Sequence, residues 1–110
     1  MTQDFYCEEV LSGKTEVEIV METDKVLAYH HTRPYYEHHI VVIPKFHIQS
    51  LISEEEANDD ELILEIMRVI KKIAADMVEF TGASKIVTNL GNYQDSKHLH
   101  WHVISGERVT

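Results

Sequence analysis

Three of the chain's eight histidines stand at alternate positions, His98, His100 and His102. In an extended strand successive side chains point to opposite faces, so these three imidazoles share one face while Leu99, Trp101 and Val103 share the other. Same-face neighbours lie ~7 Å apart along a strand, near enough for their rings to converge on one small anion. Imidazole is both a nucleophile and an acid/base near neutral pH, which suits phosphate chemistry. His-x-His on a strand also suits zinc. Spacing alone leaves both readings open, but it argues against a polar face that merely happens to hold histidine. The other histidines are His30 with His31, His38 with His39, and the isolated His47.

The elements that must position this stretch are read from periodicity. Residues 4–11 suit a helical turn, broken at Ser12-Gly13. Val17, Ile19 and Met21 alternate with Glu16, Glu18 and Val20, a half-buried strand. Thr23-Asp24-Lys25 suits a hairpin turn, and 26–30 a second strand. Arg33-Pro34 starts a loop. Residues 39–43 are mostly β-branched and apolar, a strand buried on both faces and ended by Pro44. Ser53-Glu54-Glu55-Glu56 has the capping-box arrangement of a helix start. Leu62, Ile66, Val69, Ile70, Ile73, Met77 and Phe80 then recur at helical spacing, and Gly82 suits a left-handed cap. Residues 84–90 and 99–104 read as two closing strands. The expected fold class is α+β: an antiparallel five-stranded sheet with one long helix packed on it, in the order β-β-β-α-β-β, within a single domain over residues 1–110.

Composition limits the partners. The net charge of −9 comes from 19 acidic against 10 basic residues, a field that repels DNA or RNA but not one mononucleotide in a locally positive pocket. Cys7 is the only cysteine, so no intramolecular disulfide forms. No basic-then-apolar leader and no run of ~20 apolar residues is visible, so neither a signal peptide nor a membrane span is expected, and the expected location is cytoplasmic.

The chain resembles the histidine triad (HIT) family, most closely its small bacterial and Hint-type members. Residues 98–104 match His-φ-His-φ-His-φ-φ, with φ apolar, at every position. Residues 40–47, ending Pro44-Lys45-Phe46-His47, look like the family's strand-Pro-x-x-His element. Residues 26–30 resemble its second strand, and Asn89-x-Gly91 its pre-motif turn. The resemblance implies that His100 attacks the α-phosphorus of a nucleoside phosphoramidate or adenylylated amine, forming a covalent nucleotidyl-histidine that water hydrolyses. It implies that the His98 carbonyl orients the His100 ring, that His102 contacts the phosphoryl oxygens and leaving group, and that His47 lies beside His98. Asn89 and Gln94 would touch the nucleotide or its phosphate, and Phe5 and Tyr6 would lie against the base. No cofactor is required, and a homodimer is implied, for which Ile63, Leu64 and Val78 are apolar candidates.

Four departures bear on activity. Asp95 stands where the family commonly has a Ser or Thr donor to phosphate, and a carboxylate there is repulsive unless protonated or turned away; Ser96 is the candidate replacement. The loop from Asn89 to His98 is shorter than usual, and Tyr93 replaces a glycine. His31 stands where many members bind ribose with an acid. Asp4-x-x-Cys7 replaces a Cys-x-x-Cys that holds zinc together with the counterparts of His47 and His98, which weakens that site. His38 and His39 receive no role from the resemblance. Two other functions remain in play: a non-catalytic nucleotide-binding or sensing protein, and a structural zinc protein.

Overall fold

The computed structural model describes residues 10–13 and 16–110. Along the chain come β1 (Ile19–Glu22), β2 (Val26–His30), β3 (Tyr36–Pro44), α1 (Asp60–Thr81), β4 (Lys85–Thr88) and β5 (Trp101–Arg108). The strands form one antiparallel sheet in the order β1-β2-β3-β5-β4. The expected α+β architecture and element order are therefore present. Among the described residues no helix is long and apolar enough to cross a membrane.

Helix α1 covers one sheet face. Its stripe Leu62, Ile66, Val69, Ile70, Ile73 and Met77 packs with Val26, Ala28, Ile40, Val42, Leu99 and Val103. The alternate positions of the same strands, Leu27, Tyr29, Val41 and Ile43, form a smaller cluster on the opposite face. Full burial of one such aliphatic side chain is worth about 1.5–3 kcal/mol, so the helix-covered face is the main source of stability.

The helix begins later than the capping box suggests. Asp59, not Ser53, is the cap: its carboxylate accepts from Leu62 N at 2.9 Å, with Asp60 and Glu61 in the first turn. Ser53 closes a local turn instead, accepting from Ser50 N at 3.0 Å and donating to Ser50 O at 2.8 Å. Residues 53–58 offer no apolar stripe to bury, so side-chain-to-backbone bonds win there. Gly82 ends the helix at φ 92 with its N–H on Val78 O, as read from sequence. Phe80 does not join the stripe; it is 81% exposed and meets His38 edge-on at 5.7 Å.

Strand boundaries also move. β1 is short and mostly exposed rather than half-buried over 17–21. β3 extends back from the expected His39 to Tyr36, adding His38 to the ladder. β5 begins only at Trp101 and runs on to Arg108. Its last ladder partner on β3 is Val42. Beyond it the ladder stops: Pro44 O accepts from the His98 ring, and the Leu99 N–H donates to Ile48 O at 2.6 Å.

Candidate active site

A cleft of about 600 Å³ opens on the sheet face away from α1, and His100, His102, His39 and His31 all line it. Register explains the grouping. His102 pairs with Val41 and Val87, and His39 pairs with Ile104, so these side chains stand in adjacent rows of one face. The His31 N–H bonds to His39 O at 2.9 Å, which places His31 next in the His39 row.

The triad divides. His98 and His100 precede the ladder rather than lying in it, and are held by other bonds. His98 is fully buried, and since a carbonyl only accepts, its Nε2–H donates to Pro44 O at 3.1 Å. The His47 ring stands 5.6 Å from the His98 ring. His98 does not line the cleft, so the expected convergence of all three rings on one anion is corrected to two, His100 and His102, whose rings lie 5.0 Å apart. The Thr88 hydroxyl donates to His100 O at 2.7 Å and fixes that backbone.

Hydrogen-bond partners determine the tautomers. His100 Nδ1 faces His98 O at 2.7 Å, so Nδ1 carries the proton and Nε2 keeps the ring's lone pair. His39 Nδ1 accepts from Tyr35 N at 3.0 Å, so its proton sits on Nε2, which donates to His102 Nδ1 at 2.8 Å. His102 in turn carries its proton on Nε2. This chain from a backbone amide through two rings is the feature that sequence reasoning missed, because His39 received no role. The available signal was parity: His39 shares its face with Val41, the ladder partner of His102.

Crowded imidazoles resist protonation. Burial, followed by repulsion from His100, His39 and His31, lowers the His102 pKa to about 3. Burial, then His31, lowers His39 to about 4. His31 is lowered by burial and then by His100. At neutral pH these three rings are uncharged.

The remaining candidates fall into place unevenly. Asn89, Asp95 and Ser96 line the cleft. Asp95 is exposed. The Ser96 hydroxyl is buried and has no hydrogen-bond partner among the described residues. Gln94 is not a cleft residue: it is buried and donates to Gln49 O at 2.5 Å, tying the loop to the segment after β3. Phe5, Tyr6, Asp4 and Cys7 lie outside the described residues.

One ring nitrogen from each of His31, His39 and His102 lies within 4.8 Å of the others, a spacing that suits a metal ion. Their surroundings fit less well. A metal-bound imidazole normally donates its second N–H to an acceptor. Here the backbone amides of Arg33 and Tyr35 point donors at Nδ1 of His31 and His39, at 2.9 and 3.0 Å. Metal binding through either nitrogen must break those bonds, so the cluster is built first as a set of neutral donors.

The family model described as HIT domain matches residues 12–109. A HIT-like protein of Helicobacter pylori is 26% identical over 107 residues, spanning 92% of this chain and 95% of that protein. The structure of a histidine triad protein from Clostridium difficile is 30% identical, with TM-score 0.78 over 100% of this chain and 97% of that one. A HIT family hydrolase from Legionella pneumophila is 27% identical, with TM-score 0.79 over 98% of this chain and 96% of that one.

Proposed function

The chain belongs to the HIT family, and from that premise we propose that it hydrolyses or transfers the α-phosphate group of nucleoside phosphoramidates or adenylylated amines through a covalent bond to His100. One observation carries the reading. The His98 carbonyl holds the proton of His100 on Nδ1, leaving Nε2 as the nucleophilic nitrogen of a ring that lines the cleft. The Legionella relative's description as a hydrolase agrees with it.

In this mechanism His100 Nε2 bonds to phosphorus as the phosphorus–nitrogen bond to the amine breaks. The amine leaves with a proton taken up from water. Water then splits the phosphorus–His100 bond, releasing the nucleoside monophosphate and restoring the ring. His102 Nε2–H donates to the phosphoryl oxygens, its tautomer fixed by His39. The unpartnered Ser96 hydroxyl supplies the donor that Asp95 lacks. Asn89 contacts the nucleotide, and His47 positions His98.

The test is turnover of a fluorogenic adenosine phosphoramidate by wild type and His100→Ala. We expect kcat/KM to fall by about a thousandfold or more, with trapped nucleotidyl-protein seen by mass spectrometry in wild type alone. Equal rates in the two proteins would remove His100 from catalysis. Nucleotide binding without turnover in wild type would favour a sensing role, for which the cleft carboxylate of Asp95 is the supporting observation. The protein is further proposed to be a homodimer, using exposed Leu64 and Val78 of α1. Ile63 is partly buried against the core and is the weaker contributor. A monomeric mass by sedimentation would refute dimerisation.

A further inference from the structure

The charge of the cleft runs against that of the chain. Three of its ten basic residues, Arg33, Lys85 and Arg108, line the cleft, against one of its nineteen acidic residues, Asp95. None of the three cations forms an ion pair among the described residues. Arg108 Nε donates to Thr110 O at 2.8 Å, an uncompensating local bond to the chain's last residue. A protein with net charge −9 gains nothing in solubility by grouping cations in a concavity; it gains attraction for an anion there.

The cations sit at one end. Val87 pairs with His102, and Lys85, two residues away on β4, pairs with Ile104. Lys85 thus stands one same-face step, ~7 Å, from the row that holds His102. Its row continues through Ile104 and His39 to His31. His31 Nδ1 accepts from Arg33 N at 2.9 Å, so the neutral ring keeps its proton on Nε2, a donor.

A bulge completes the end. One extra residue of β5 lies between the pairs His38–Ser105 and Tyr36–Arg108. Gly106 occupies this stretch at φ 87, where an added Cβ would meet Glu37 Cβ at 2.9 Å. Across the bulge Tyr36 pairs with Arg108, and both line the cleft. The Arg108 guanidinium lies 5.9 Å from the Tyr35 ring centre and 6.0 Å from that of Tyr36. These rings, with the bond from its Nε to Thr110 O, hold its fork in a defined place. Asp95 belongs to the loop before His98, beside Ser96, at the reacting end.

We infer that the end of the cleft formed by Arg33, Lys85 and Arg108 binds a second anionic group of the substrate, a phosphate separated from the reacting phosphorus by a spacer of about one sugar ring. Directly bonded phosphates are too close together to occupy both rows. A neutral sugar hydroxyl pair needs an acceptor, whereas His31 and the three cations supply only donors. This rests on the reading of His100 and His102 as the phosphate-reacting end, and it names the substrate class: nucleotides phosphorylated at both the 5′ and the 3′ position.

Titration calorimetry with adenosine 3′,5′-bisphosphate and adenosine 5′-monophosphate tests it. Wild type should bind the bisphosphate at least about tenfold more tightly, since charge-assisted bonds to a second phosphate are strong. The preference should fall towards unity in Lys85→Ala/Arg108→Ala and be kept by Lys85→Arg. Both side chains line the cleft, and thermal melts confirm that each variant is folded. Equal affinities in wild type would overturn this inference while leaving the reacting end intact. A preference that survives the double substitution would also overturn it. Failure of wild type to bind either nucleotide would defeat the proposed function together with it.

Discussion

The two faces of the sheet are made from the same strands and do opposite work. Towards α1, alternate residues of β2, β3 and β5 are aliphatic and buried, closed by Leu62, Ile66, Val69, Ile70 and Ile73. Away from α1, the intervening positions of β3 and β5 carry His39 and His102, and a cleft stays open. One residue of register separates these environments. The first face collects hydrophobic free energy. The second holds desolvated imidazoles whose protonation is suppressed, an arrangement that costs stability at acid pH and leaves lone pairs available at neutral pH. Packing and chemistry are thus divided by face, and substitutions on each face should separate stability from activity.

The largest effect should come from the covered face. Ile66 is fully buried on α1, so Ile66→Ala should cost about 2–5 kcal/mol by denaturant titration, while folded protein keeps its kcat/KM. Loss of activity without loss of stability would show that the faces are not separate.

On the open face, His39→Ala should lower kcat about a hundredfold by releasing the tautomer of His102. His39→Gln, which can still donate to His102 Nδ1, should recover a large part of the loss. If both variants match wild type, the two-ring relay has no part in turnover.

Acid should expose the difference between the faces next. Unfolded histidine titrates near 6.5, whereas His39 and His102 titrate at about 4 and about 3 in the fold. Between those values the unfolded chain binds protons that the folded chain does not, so stability falls as pH drops from about 7 towards 4 and rises again on return. The melting temperature of His102→Asn should depend less steeply on pH between 7 and 5 than that of wild type. Parallel curves would show that the rings are not held neutral.

The smallest effect sharpens the helix boundary. Asp59→Ala should destabilise by about 1 kcal/mol, the usual worth of an N-cap. Ser53→Ala should leave the helix content by circular dichroism unchanged, because its hydroxyl serves a separate turn. Loss of helicity on changing Ser53 alone would restore the earlier start.

Legibility differed between elements for physical reasons. The stripe from Leu62 to Met77 was readable because burial of one helix side imposes its own period, and Gly82 because few other residues take φ 92. Phe80 kept that period but fell in the last turn, where it meets His38 edge-on and stays largely exposed. At the site, His100 was legible from its motif. His39 was not, because its hydrogen-bond partner is a ring on a strand, 63 residues away.

The order of residues alone fixed which side chains alternate, where the long helix lies and that an imidazole at position 100 would follow another two residues before it. These are local consequences of strand and helix periods. Only the folded sheet decided that His98 would be buried, that His39 would reach His102, and that Lys85 and Arg108 would share a cleft. Such meetings depend on ladder register and on one bulge, and both are set by packing between strands distant in sequence.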